Sequence, residues 1–524
     1  MNNAPANTPA ILRSLVTFAV IVPLAVFIGY LLTDPLDRSS FTYYGILALI
    51  LIFPILLRWH HPLLIFSWNS SMCLLFLPGA PDLWLAMTAA SLGISLLQRA
   101  LGGVKQLVSV PQVTWSLLCM IGVVVLTARL TGMGLHAFGS EISGGRRYIY
   151  FLGAILSYFA LSSRRIPPER AGLCVALFIL PGMLGIIGDF YPVIPGPLHF
   201  IYLFFHASSV LLVEDPMESK MRLAGAITMA VTVFSYMLAR YGVRGIFLSH
   251  KPWRWMILLL AIGGGLFGGF RSGILFIALV FILQFFIEGL HRTKLLIIFA
   301  FVGVLGAAAL FPLAPHLPHT VQRALAFLPL KIDPVVRQNA EESANWRFDM
   351  WKALLPQIPQ YLLLGKGYAW SRMDLNLLTG SDAAVKTSFA EYQPSALSGS
   401  YHSGPFSVVM TFGIWGVITV VWFWIAAIWV LYCNYRYGDP ALRTVNTFLL
   451  VVFVARIIGF TLIAGDIGSD MLAFSGYLGL NVSLNGGVSR PRAPQPVRET
   501  GKFQAFDDIR SHLQPTFRRP KIRA

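Results

Sequence analysis

Charge is what this chain has least of. Only 12% of its 524 residues are Asp, Glu, Lys or Arg, where a soluble domain carries about 25%. So little charge excludes an ordinary water-soluble domain, and the mean hydropathy of +0.68 agrees. Cysteine is also scarce. Cys73, Cys119, Cys174 and Cys433 all fall in apolar segments, so no disulfide framework is expected. No CxxC pair or Cys/His cluster has metal-site spacing, and neither a metal nor another cofactor is expected. Acidic residues number 23 against 40 basic ones, giving a net charge of +17. That excess does not point to nucleic acid. Many of the basic residues sit in short links between apolar runs, as the positive-inside rule expects.

What the chain has in quantity is apolar sequence in membrane-length runs. The fold class is therefore all-α, a polytopic transmembrane helical bundle of about 12–14 spans with one large external loop containing short helices. Candidate spans are 11–32, 41–58, 62–77, 82–97, 111–130, 147–162, 170–188, 197–213, 221–239, 253–269, 271–289, 293–312, 405–432, 443–463 and 467–483. The first apolar stretch, Leu15–Leu32, follows a single Arg and lacks a small-x-small cleavage site, so it reads as a retained span. The basic links Arg58–His61, Gln98–Gln106 and Ser163–Arg170 belong in the cytoplasm. Counting from the two ends clashes by one span unless 197–213, which follows Pro192, Pro195 and Pro197, does not cross. Both termini are then inside and the large insert outside.

Four regions follow: N-terminal membrane helices over 1–312, a large external loop over 313–404, C-terminal membrane helices over 405–485 and a basic cytoplasmic tail over 486–524. The tail carries nine basic residues beside Glu499, Asp507 and Asp508, which suits membrane lipid headgroups. The loop is too long to be a mere connection, and long ordered loops carry function. Within it Trp346, Met350, Leu354 and Ile358 recur every four residues with Trp351 beside them. That is the apolar stripe of a short amphipathic helix, able to rest over the mouth of a bundle.

Three elements in and around the loop could bear chemistry. Phe270-Arg271-Ser272-Gly273 follows a run of glycines that permits close helix approach. Ser272 would cap the helix opening there, and a helix N-terminus with Arg271 beside it suits a phosphate. The alternative is an Arg snorkelling to headgroups. Asn345-Trp346-Arg347 and Leu364-Gly365-Lys366-Gly367 offer a second anion contact and a tight turn with added charge; the alternative is a solvated surface helix. Tyr401-His402-Ser403-Gly404 opens the next span, and a His there can act as a base near neutral pH. An interfacial His bonded to headgroups or backbone is the plainer reading.

In this order the elements resemble the O-antigen ligase and O-antigen polymerase superfamily, over roughly residues 253–463. Arg271 precedes the Ser it usually follows, Lys366 stands where an apolar residue is usual, and Ser403 where Asn is usual. The resemblance implies a periplasmic-face glycosyltransferase in the bacterial inner membrane. It would move a glycan from an undecaprenyl-diphosphate carrier to a hydroxyl of a lipid or saccharide acceptor, with inversion and without a metal. His402 would be catalytic. Arg271, Arg347, Ser272, Lys366 and Arg323 would bind the diphosphate. A polymerase of lipid-linked repeats and a protein-directed transferase share this donor chemistry. A transporter or lipid flippase is the reading from another class, with the broken spans near 181–200 and 263–272 lining its path. Scarce intramembrane charge and the absence of matching halves argue against it.

Overall fold

The computed structural model describes residues 38–74, 77, 79–102, 108, 110–134, 144–207, 222–370 and 399–491, with scattered positions between 18 and 30. Among the described residues there is helix and no strand. In chain order the α-helices are α1 (Arg38–Ser67), α2 (Leu83–Ala100), α3 (Pro111–Thr131), α4 (Gly145–Ser162) and α5 (Ala171–Ile179). Then come α6 (Ala224–Phe247), α7 (Pro252–Leu266), α8 (Arg271–Ile287), α9 (Leu295–Leu313) and α10 (His319–Ala324). The last are α11 (Pro334–Leu354), α12 (Ile358–Tyr361), α13 (Gly404–Tyr437), α14 (Arg443–Leu462) and α15 (Ile467–Asn485). Among the described residues, seven segments are long and apolar enough to cross a membrane. The all-α polytopic bundle is as expected, and the chain is a multi-pass membrane protein.

One expected boundary is absent. The spans 41–58 and 62–77 are not separate, because α1 runs unbroken from Arg38 to Ser67 through Pro54 and Pro62. The polar Arg58–His61 stretch reads as a link, yet both histidines are buried. His60 Nδ1 lies 2.8 Å from Ser91 Oγ and His61 Nε2 lies 2.8 Å from the Leu161 carbonyl. Polar groups satisfied inside the bundle need no loop.

The segment that follows α5 is also irregular. Leu180–Phe190 is a 3-10 helix of 11 residues, where such helices rarely exceed about four. Its rise of about 2.0 Å per residue, against 1.5 Å in an α-helix, lets α5 and this segment together reach about 35 Å, enough for a bilayer's apolar core. Of the segment expected not to cross, Gly196–Leu203 forms a short 3-10 helix with no buried residue. Residues 208–221 lie outside the described chain.

The core is centred on α14, which packs on α13, α8, α6 and α15. Phe448, Val451, Val452, Phe453 and Ala455 are fully buried there. In contrast, no residue of α9 is buried, so α9 presents its apolar surface all round, as lipid-facing helices do. The glycines around the start of α8 divide. Gly265, Gly268 and Gly273 sit so close to Ala230 and Ile227 that an added Cβ would lie 2.4–2.8 Å away, whereas Gly263 and Gly264 meet nothing.

Candidate functional site

The expected amphipathic helix is α11, longer than its stripe suggested. Asp333 starts it, accepting from the Val335 N–H. Its apolar face does not simply lie on a membrane. Met350 and Leu354 are buried with Tyr401 and Met410, and Trp346, Trp351, Ile358 and Phe406 pack around them. The loop helix is thereby fastened to the start of α13. The Trp351 indole N–H donates to the Tyr401 carbonyl over 2.8 Å.

That fastening sets His402. Its ring meets Trp346 edge to face with centroids 6.0 Å apart. Its backbone has φ of +48°, a left-handed conformation that costs a non-glycine residue about 1 kcal/mol. Such strain persists only where neighbours over-determine it. Here Tyr401 is buried on one side and Ser403 begins α13 on the other.

The Gly-x-Gly turn has a structural task. α13 breaks at Gly413, where φ is +64°, and the strand of loop from Leu362 to Gly367 is laid across the break. The Lys366 N–H donates to the Met410 carbonyl, Gly367 N–H to Thr411, and Ile414 N–H to Leu362. Thr127 Oγ1 donates to the Leu364 carbonyl, and Tyr148 Oη accepts from the Tyr368 N–H. Lys366 therefore belongs by its backbone to a strap that ties the loop to α3, α4 and α13.

Arg271 is the first residue of α8, and its cap is Phe270, with no side-chain capping bond. The expectation that Ser272 caps this helix is corrected: Ser272 lies within the first turn, because Gly269 at φ +70° turns the chain a step earlier. An Arg271 Nη donates to the Ala340 carbonyl of α11 over 3.0 Å. Arg347 lies two turns further along that helix. Burial first, and then the positive charges of Arg271 and Arg222, lower the pKa of Arg347. The guanidinium of Arg222 stands over the Phe270 ring at 6.0 Å. Burial first, then Arg347 and more weakly Arg222, lower His402 below its ordinary 6.5, with Asp466 working in the opposite sense.

The structure thus brings Arg271, Arg347 and His402 into one electrostatic neighbourhood at the junction of α8, α11 and α13. It adds two residues that sequence reasoning missed. Arg222 adjoins a stretch of mixed polar residues with no periodic signal. Asp466 caps α15, its side chain accepting from the Ser469 N–H. Arg323 is placed otherwise. It is buried in α10, within the stretch whose Val321, Leu325 and Leu330 form the loop's own small core. Crowding three guanidinium groups is unfavourable by Coulomb's law. An anion with several oxygens offsets it and gains charge-assisted hydrogen bonds. A neutral imidazole beside such an anion is able to accept a proton.

The comparison with curated proteins gives no match to this chain. A family model described as O-antigen ligase matches residues 256–421. That stretch carries Arg271, Arg347, the Gly365-Lys366-Gly367 strap and His402, while Arg222 and Asp466 lie outside it. Over this segment the chain is similar to the O-antigen ligase family, which supports the resemblance read from the sequence and an O-antigen ligase-like membrane protein.

Proposed function

We propose that this protein transfers a glycan from an undecaprenyl-diphosphate carrier to an acceptor hydroxyl on the periplasmic face of the inner membrane. What supports the reading is the electrostatic neighbourhood in which Arg347 and Arg222 act on His402, and Arg271 and Arg222 on Arg347. The acceptor oxygen attacks the anomeric carbon, and the bond from that carbon to the diphosphate oxygen breaks. The electron pair leaves with the lipid diphosphate, whose growing charge Arg271 and Arg347 stabilise, with Arg222 behind them. His402 takes the hydroxyl proton. One displacement inverts the anomeric centre, and guanidinium groups supply the positive charge that a metal would otherwise bring. Ser272 and Lys366 border this chemistry, and Arg323 supports the loop.

The test is transfer by the purified chain in nanodiscs, given an undecaprenyl-diphosphate-linked glycan and the polymer-free glycolipid fraction of a bacterial envelope. We expect product without ATP, without an ion gradient and in the presence of a chelator. His402→Ala and Arg271→Ala should abolish it while the proteins still fold. Full activity in either variant removes that residue from the scheme. Growth of the polymer on its own lipid carrier, with no transfer to the glycolipid, would assign a polymerase instead.

A further inference from the structure

A second concavity lies beside the arginines. It is a cavity of about 770 Å³ bounded by α6, α8 and α14, the 3-10 helix Leu180–Phe190 and the turns before α2 and before α15. None of Arg222, Arg271, Arg347 and His402 lines it, but Ser272 and Gly273, the next residues after Arg271, do. Whatever fills it is therefore held next to the diphosphate site and apart from it.

Its charges are already matched. Arg456 Nε stands 3.2 Å from Asp470 Oδ1. Asp82 accepts from the Trp84 indole at 3.3 Å and lies 3.3 Å from His206 Nε2. With each charged group partnered, the cavity has no surplus cation for a phosphate. It is not a bed for a lipid chain either, because Asn69, Ser71, Thr228, Thr232 and Ser235 all line it. Hydroxyl and amide groups interleaved with the rings of Trp68, Trp84, Phe276 and Tyr477 suit a ligand with hydroxyl edges and C–H faces.

One wall is built by close packing of the 3-10 helix on α6. In a 3-10 helix every third residue eclipses, and Gly182, Gly185 and Gly188 hold three successive such positions and line the cavity. An added Cβ at Gly182 would lie 2.4 Å from Thr232 Oγ1. A binding site for a small ligand spans about 300–1,000 Å³, so the volume suits a short saccharide and not a polymer.

We propose that this cavity is the acceptor subsite, receiving the uncharged terminal sugar of the acceptor. The assignment rests on the transfer reaction proposed above. A long donor glycan does not fit the cavity, whereas the end of an acceptor does. Inversion also requires the acceptor oxygen and the departing diphosphate to flank the same carbon, and Ser272 follows directly on Arg271.

Two experiments test it. Thr228 is exposed to the cavity, so Thr228→Trp fills the space without entering the packed core. Its acceptor KM should rise roughly tenfold or more while its donor KM stays within about twofold. Leu260→Trp, on the outward face of α7, is the control. A rise in donor KM, or no change in either, overturns the proposal. The second experiment does not depend on turnover. A photo-crosslinking residue at position 228 of the full chain in its native membrane should capture a sugar-bearing molecule by mass spectrometry. Capture of phospholipid only, or of nothing, overturns the subsite. A wild-type chain that captures a saccharide but transfers no glycan would instead place the error in the reaction proposed above.

Discussion

The indole N–H of Trp351 donates to the carbonyl of Tyr401 over 2.8 Å, and the next residue in the chain is His402. One hydrogen bond thus joins the loop helix to the backbone that aims the imidazole. Trp351→Phe keeps an aromatic ring against Phe406, now stacked at 6.2 Å, and deletes only the bond. The loss should cost about 1 kcal/mol of stability. It should also slow transfer about tenfold with little change in donor KM, because orientation and not donor contact is lost. Steady-state kinetics and a thermal melt read the two effects separately.

His402 has neighbours pulling its pKa in opposite directions, which gives a test with a sign. Arg347 and Arg222 hold it down and Asp466 holds it up. A general base works only when deprotonated, so activity climbs as pH rises through its pKa. Arg222→Gln removes a depressing charge and raises the pKa, moving the acid limb of the kcat/KM profile to higher pH. Asp466→Asn removes the supporting charge, lowers the pKa and moves the limb to lower pH. A pH–rate profile in which both variants move the limb the same way would rule out His402 as the titrating base.

Arg347 is half-buried and crowded by like charge. Its replacement by Gln should relieve that crowding and leave the fold intact, while donor KM rises about 10- to 100-fold, as expected for a lost charge-assisted hydrogen bond. Arg347→Lys should recover only part of this. A point charge does not reproduce the planar fork that a diphosphate can engage with two oxygens. Donor titrations of both variants at fixed acceptor measure the difference.

These residues also mark what the sequence discloses. Arg271 and His402 could be picked out because each is polar at the edge of an apolar run, where solvation makes it conspicuous, and Arg347 because it stands beside the aromatic stripe of the loop helix. The stripe of α11 was readable because Trp346, Met350, Leu354 and Ile358 obey helical spacing. Arg222 and Asp466 obey no spacing, and their nearness to His402 arises only when α6, α13 and α15 pack. Basic charge also misled at Arg58–His61, since nothing local reveals that Ser91 and the Leu161 carbonyl stand ready for the histidines. The Gly365-Lys366-Gly367 turn was legible as a close turn. Its partner, the helix break at Gly413, was not, because a glycine inside an apolar run gives no sign of a positive φ.

Two positions of positive φ should respond in opposite ways to substitution. Gly365 has φ of +74°, and a Cβ there would lie 2.2 Å from the Thr411 carbonyl oxygen. Gly365→Ala therefore meets both an unfavourable backbone conformation and a backbone atom that cannot swing aside. It should cost more than about 1 kcal/mol, lower the melting temperature and loosen the strap over the α13 break. His402 at φ +48° is the converse case. His402→Gly gives the residue a backbone suited to that conformation, so stability should hold or rise by up to about 1 kcal/mol, although glycine's freer unfolded chain offsets part of the gain. Transfer should nevertheless vanish, because the imidazole is gone. Melting curves and transfer assays on the two variants separate a glycine that builds the site from a histidine that works in it. A His402→Gly protein that melts far below wild type would mean the ring is there to hold Trp346 and α11 in place.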